Sequence, residues 1–281
     1  MNVTFENISI VIVLYKTRLE NSITFRSLTA CTREDKNSKI DLIIYDNSSH
    51  SQDIEISSFP MWNITYIHDE SNPGVSKAYN EAAKIALKLS KQWLLLTDQD
   101  TQFPKESILK YIKSVNENND IKLFVPYLKS NGINFSPGKY FFSKGFIWKN
   151  PLPGRHPFKN KMLLNSGIFV NLIAFNSVQG YNEKVQLYFS DFEFVNKFKK
   201  RYSEFYLVNF ECKHELSDVI KVDIEAAKKR FYYYCEGGYQ SSTSKSNFLQ
   251  LFITIFLRSI KLSLKYRDFI FLKIFSKRFI A

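Results

Sequence analysis

Five short apolar runs, each closed by polar residues and separated by stretches of helical period, constrain the fold of this 281-residue chain more than any other feature. "ISIVIVLY" (8–15) is a continuous β-branched run, the composition of a strand buried on both faces. "IDLIIYDNSS" (40–49), "NITYIHD" (63–69), "QWLLLTD" (92–98) and "IKLFVPYL" (121–128) repeat that pattern. Helical patterns lie between them. Leu19, Ile23, Phe25 and Leu28 form the first. "NPGVSKAYNEAAKIALKL" (72–89) is the second, with Val75, Ala78, Tyr79, Ala82, Ala83 and Ala86 at i, i+3, i+4, i+7 spacing. Residues 104–118 are the third, with Pro104 at its start. Strands alternating with helices predict an α/β fold with a mainly parallel sheet covered by helices on both faces. Hydrophobic residues are 44% of the chain, enough for such a core and too many for a disordered chain.

Charge is lopsided, with 39 Lys and Arg against 27 Asp and Glu. The net +12 points to an anionic partner: nucleic acid, lipid headgroups or a phosphorylated ligand. Nucleic acid fits poorly, because the basic residues form no aromatic-interleaved groove and the C-terminal tail is too apolar for a solvated basic arm. The three cysteines, Cys31, Cys212 and Cys235, are scattered and odd in number. They predict neither a disulfide framework nor a metal site, and they fit a reducing compartment. No basic region precedes the first apolar run, so the N-terminus reads as a strand and not as a signal peptide.

In open parallel sheets, ligands gather beyond the carboxyl ends of the strands. Three such ends are polar here: Tyr15-Lys16-Thr17, Asp46-Asn47-Ser48 and Asp98-Gln99-Asp100. The last stands in "WLLLTDQDTQFP", where two carboxylates follow an apolar run one residue apart. Such a pair can hold a hard divalent ion, which in turn binds phosphate oxygens. Without a cation the like charges repel and raise a pKa. The competing reading is a solvated acidic loop, or a helix cap at Thr101.

Six segments in order resemble glycosyltransferase family 2, the inverting nucleotide-sugar transferases of the GT-A fold, over roughly residues 8 to 215. They are "IVIVLYKT", "IIYDNSS", "NPGVSKAYNEAAKIA" (with Glu81 where a glycine is usual), "LTDQDT", "NSGIFVNLIAFNSVQGYNEK" (165–184) and "YFSDFEFVNKFKKR" (188–201). The resemblance implies a Rossmann-like GT-A domain over 1–215 and an extension over 216–246 that completes the site; the residues beyond, 247–281, read by their own composition as a basic amphipathic helical tail. It implies nucleotide-sugar contacts at Leu14, Tyr15, Asp46, Asn47, Gly74, Asn80, Asp98 and Arg230. Asp46 would accept the N3–H that thymine and uracil share. Asp100 and His214 would hold Mg²⁺ or Mn²⁺ against the leaving diphosphate. Ser166 and Gly167 would line the acceptor side. Asp191 would be the general base that an inverting displacement needs, with Glu193 as its neighbour. Other readings stay open: Asp191 as a dipole-favoured helix acid, His214 as a packing histidine, Arg230 as part of a basic helix face, Gly167 as a turn requirement.

Within the family, "DQDT" and "CKHELSD" followed by "KKRFYYY" resemble bacterial rhamnosyltransferases. These imply a dTDP-rhamnose donor and a surface-polysaccharide or lipid-linked glycan acceptor; a UDP-hexose donor is the alternative. A non-catalytic nucleotide-binding scaffold is a further alternative. A nucleotidyltransferase would carry a glycine-rich basic loop after the first strand, where this chain reads "LYKTRLENS".

The tail carries polar residues at Gln250, Thr254, Arg258, Lys261, Lys265 and Asp268, a narrow helical stripe on an otherwise bulky apolar segment. No uncharged run reaches the ~20 residues that span a bilayer. The composition predicts either a helix lying in the headgroup region of an anionic membrane or one docked on the protein itself. The first alternative places the chain in the cytoplasm, at the inner face of the cell membrane.

Overall fold

Two-sided burial organises the first half of the chain. The computed structural model describes residues 2–31, 39–214 and 223–280. β1 (Ile8–Leu14) is buried at every position. Ile8, Ile10, Ile12 and Leu14 join one hydrophobic cluster while Val11 and Val13 join another, as strand alternation requires. β2 (Ile40–Asp46) divides the same way, Ile40, Leu42 and Ile44 against Ile43 and Tyr45. β3 (Trp62–His68) and β4 (Trp93–Asp98) complete a parallel set in the order β3-β2-β1-β4. The fold is therefore the expected α/β arrangement, with a cluster on each face of the sheet.

The expected helices form, with later starts. Leu19 lies in a short 3₁₀ turn, and Ser22 caps α1 (Ile23–Thr29) by accepting the Phe25 N–H. α2 is Val75–Lys88, because Asn72 (φ 49°) and Gly74 (φ 90°) are left-handed and cannot join a helix. Its small residues Ala78, Ala82, Ala83 and Ala86 are buried against the sheet. Pro104 does not open a helix: Thr101–Gln102 form a short strand, β5, and α3 begins at Ser107 and ends at Glu117.

Beyond β6 (Leu123–Ser130) the sheet becomes mixed. β7 (Ile133–Ser136) turns back on β6. β8 (Gly138–Phe141), β9 (Lys144–Phe146) and β11 (Lys161–Met162) form a separate three-stranded sheet, with β10 (Gly154–Pro157) between β9 and β11 in sequence but on the main sheet. β12 (Ile168–Asn171) inserts antiparallel between β4 and β6 and leads into α4 (Leu172–Ser177). After α5 (Ser190–Phe198), β13 (Glu204–His214) runs parallel to β6, and its end pairs with β5.

The segment "ELSD" of the rhamnosyltransferase-like motif, and the start of the expected 216–246 extension, lie outside the described residues. The tail is not one helix. α7 (Lys245–Tyr266) and α8 (Ile270–Phe279) are separated by Arg267, left-handed at φ 53°. Both pack with α6 (Ile224–Gln240), and the three helices share a third hydrophobic cluster with Val185 and Phe189. The expected polar stripe divides: Thr254 is buried and the Arg258 guanidinium lies 4.2 Å from the centre of the Tyr234 ring, whereas Lys261 and Lys265 are exposed. All three cysteines are free and buried.

Candidate active site

Strand order changes direction at β1 and β4, since the chain runs outward from β1 to β3 and then returns to the other side of β1. The crevice beyond the carboxyl ends of those two strands is where a ligand binds such a sheet. Gln99 joins the two ends by accepting the Tyr15 N–H at 2.8 Å. Asp98 closes β4, and the buried Tyr79 hydroxyl donates to its Oδ1 at 2.7 Å. Antiparallel pairing of Thr101 with His214 brings the imidazole, 113 residues on, to the same edge.

Asp98, Asp100 and His214 thereby place one ligand atom each within 4.8 Å of one another. His214 Nδ1 is 3.5 Å from Asp100 Oδ1 and 2.7 Å from Thr101 Oγ1. Thr101 Oγ1 lies 2.7 Å from Ser166 Oγ, which accepts the Asp98 N–H at 3.2 Å. Thr101 and Ser166 are both buried, so this chain of hydroxyls fixes the acids and the imidazole from behind. Two carboxylates and an imidazole suit Mg²⁺ or Mn²⁺. Asp100 and His214, the residues expected to hold the metal, thus lie close enough to share one cation, and Asp98, expected at the sugar, lies with them.

Asp191 is the second residue of α5 and accepts the Phe192 N–H at 2.8 Å. Burial pushes its carboxyl up to about 7, and the negative charge of Asp98 adds to that rise. The two carboxylates therefore sense each other across one site. Asn165 ties this helix to the strand edge: its amide donates to Ser190 Oγ at 3.0 Å, and its Oδ1 accepts from the Tyr181 hydroxyl at 2.9 Å. Glu193 does not turn toward Asp191. Two positions on a helix are about 200° apart, and Glu193 instead lies 3.4 Å from Lys197 Nζ.

Other expected ligand residues are already engaged. Asp46 is fully buried: Oδ2 accepts from Gln52 at 2.7 Å and Tyr66 at 3.0 Å, and Oδ1 from the Ser48 N–H at 2.9 Å. Burial opposes its ionisation, but those hydrogen bonds outweigh it and hold the carboxyl below its usual value. A base N3–H reaches Asp46 only if Gln52 or Tyr66 moves. Leu14 is a core side chain, its carbonyl taken by the Asn47 N–H at 2.8 Å. Asn47 is buried beside it, whereas Tyr15 is 39% exposed at the crevice.

Gly74 serves a close approach: a Cβ there would stand 2.1 Å from the Gln186 carbonyl oxygen. Asn80 bridges α2 to the segment before α5, donating to the Tyr181 carbonyl and to Glu183 and accepting the Tyr181 N–H. Gly167, at φ 86°, would meet the Pro126 ring at 2.7 Å, so it and Ser166 back the acid pair. Arg230 is half-buried on α6. Its turn of helix shares a face with Tyr234 and Gly237, which pack on Tyr188 and Phe189 at the start of α5.

Sequence reasoning missed Tyr79, Thr101 and Asn165 as supports of the site. Only Thr101 had a local signal, its place directly after the acid pair.

A Rossmann-like sheet with an Asp-x-Asp pair at its switch point is the architecture of GT-A glycosyltransferases, and solved members of that class share this fold. Staphylococcus aureus TarS matches at 16% identity and a TM-score of 0.57, over 86% of this chain and 44% of TarS. GalNAc-T7, solved with UDP, GalNAc and Mn²⁺, matches at 13% identity and 0.57, over 96% of this chain and 56% of its own. The mannosyltransferase PcManGT from Pyrobaculum calidifontis, solved with GDP-Man and Mn²⁺, matches at 12% identity and 0.55, over 89% and 69%. The chain thus spans less than half the length of TarS. No curated protein matches it. The family model of glycosyl transferase family 2 matches residues 9–185, and the chain belongs to that family.

Proposed function

We propose that this glycosyltransferase moves a sugar, with inversion, from a nucleotide-sugar to a hydroxyl of a bacterial surface-polysaccharide or lipid-linked glycan. The observation that carries the reading is the Asp98–Asp100–His214 cluster, with Asp191 near enough for the Asp98 charge to add to the burial that pushes its carboxyl up to about 7. Asp98, Asp100 and His214 would hold a divalent cation, which would supply charge neutralisation at the leaving diphosphate. Asp191 takes the acceptor proton as the acceptor oxygen bonds to the anomeric carbon and the bond to the diphosphate breaks. Tyr79, Thr101 and Ser166 keep Asp98 and His214 from shifting as that charge develops.

L-Rhamnose from dTDP-rhamnose is the donor we propose, on the "DQDT" and "KKRFYYY" resemblance. A UDP-hexose is the second reading, favoured by TarS, which has been solved with UDP-GlcNAc. The basic C-terminal helices support work at the inner face of the cell membrane, on a lipid-linked acceptor.

Calorimetric titration with dTDP-rhamnose, UDP-GlcNAc and GDP-mannose, with and without Mn²⁺, tests the reading. One donor is expected to bind only with metal, and Asp100→Ala to abolish that binding while the domain stays folded. Equal donor affinity in Asp100→Ala with metal present counts decisively against the cluster. A donor that binds and is never transferred or hydrolysed leaves a scaffold.

A further inference from the structure

α7 is built inside out. A helix docked on protein in water buries its large apolar side chains and exposes its polar ones. α7 buries Thr254, Ser259 and Ser263 beside Leu251 and Ile255. It exposes Leu249, Ile253, Phe256, Leu257 and Leu264, which recur on one side of the helix. Small residues inward and bulky apolar residues outward is the pattern of helices in contact with lipid. α8 beside it is ordinary, burying Phe271, Phe275 and Phe279 and exposing Lys273 and Lys277. Lys261 and Lys265 extend the outward stripe of α7 toward its C-terminus.

The β8–β9 hairpin repeats this chemistry. Its register sets Lys139 opposite Phe146 and Phe141 opposite Lys144, so these four side chains share one face. All four are exposed, Phe141 by 72% and Phe146 by 50%. The turn residues Phe142 and Ser143 are both left-handed, as a tight hairpin turn requires. Ser143 is buried and hydrogen-bonded to Asn247 and Gln250, which stitches the hairpin tip to the first turns of α7. The opposite face of the hairpin carries Tyr140, whose ring lies 5.2 Å from that of Phe192, the residue after Asp191.

We propose that the outward faces of the β8–β9 hairpin and of α7 form one surface that seats in the headgroup region of an anionic bilayer and presents a lipid-linked acceptor to Asp191. The proposal rests on the transferase reading above and adds the hairpin as a second anchor. Charge selects the occupant. From residue 245 to the end stand eight basic residues and one acid, Asp268. Lys139 and Lys144 add to them on the hairpin. A second copy would bring the same lysines face to face, whereas anionic headgroups neutralise them. By length and composition α7 is long and apolar enough to cross a membrane, but Arg258, Lys261 and Lys265 break its apolar stretch and its inner side packs with α6 and α8, so the helix lies in the membrane plane.

The test is co-sedimentation of the full chain with phosphatidylcholine vesicles, with and without phosphatidylglycerol. The full chain is expected on the phosphatidylglycerol vesicles, less so as salt rises. Phe141→Ser/Phe146→Ser and Lys139→Glu/Lys144→Glu alter exposed side chains only. Each is expected to lower partitioning by about tenfold with unchanged melting and unchanged nucleotide-sugar binding. Partitioning of both variants equal to that of the parent chain overturns the hairpin anchor. A dimer in light scattering that Phe141→Ser/Phe146→Ser dissociates overturns the bilayer in favour of a second copy. Vesicle binding without donor binding sinks the transferase reading and leaves the surface standing; donor binding without vesicle binding does the reverse.

Discussion

Asp191 is the second residue of α5, and its protonation state follows from where it stands. Burial pushes its carboxyl up to about 7, and the negative charge of Asp98 adds to that rise. The folded chain thus holds this proton from pH 3.8, the ordinary value, up to about 7, while the unfolded chain has released it. Stability supplied by that proton is lost as pH rises through the same window. Asp191→Asn, which needs no ionisation, is expected to melt above the parent by a gap that widens from pH 4 to pH 8, measured in chelator. A gap constant with pH would show that burial does not hold the proton. The same variant should keep donor affinity and lose transfer by about 10²-fold or more. Transfer near the parent rate moves the base elsewhere, though not to Glu193, whose carboxylate is turned to Lys197. Asp46 marks the limit of reading by motif: the residue type at a strand end could not reveal that Gln52 and Tyr66 already occupy it.

The strands and helices up to β6 were legible because burial on both faces forces unbroken apolar runs, and burial on one face forces a helical stripe. Their boundaries were not, since Asn72 and Gly74 spend the residues before α2 in left-handed turns. The β8–β9 hairpin gave no signal at all: its strands are four and three residues long, and its outward face mixes Phe141 and Phe146 with Lys139 and Lys144, so no apolar-in, polar-out alternation marks it. β13 hides in another way, with Asn209, Glu211 and Lys213 exposed along it and a bulge between Leu207 and Glu211. The α6–α5 junction is also a matter of contact and not of period. A Cβ on Gly237 would stand 2.2 Å from the Tyr188 carbonyl oxygen, a backbone atom with no freedom to turn aside. Gly237→Ala is expected to cost about 1–3 kcal/mol, read as a lowered melting temperature. Mn²⁺ affinity should be unchanged, because the cluster stands on β4, β5 and β13. A variant that melts like the parent means the two helices are not held together at this point.

Across the whole molecule, the C-terminal helices are part of the folded body and not an appendage. A chain ending at Ser246 loses α7 and α8, and with them the cover over Phe231, Cys235, Val185 and Phe189. It is expected to melt below the full chain and to leave the vesicles, while donor and metal still bind at the sheet edge. An unchanged melting temperature would show that α7 and α8 contribute nothing to that core. The three buried sulfurs give this balance a second, chemical voice. Cys31, Cys212 and Cys235 are each less than a tenth exposed, and burial lifts the Cys235 thiol to about 12. A protein with every thiol shut away in its core is silent toward maleimides. A cysteine introduced at Phe142 or Leu257 would then be the one position a dye can reach, turning each into a depth gauge for the bilayer. Labelling that spreads to Cys235 would announce that the helical bundle has opened.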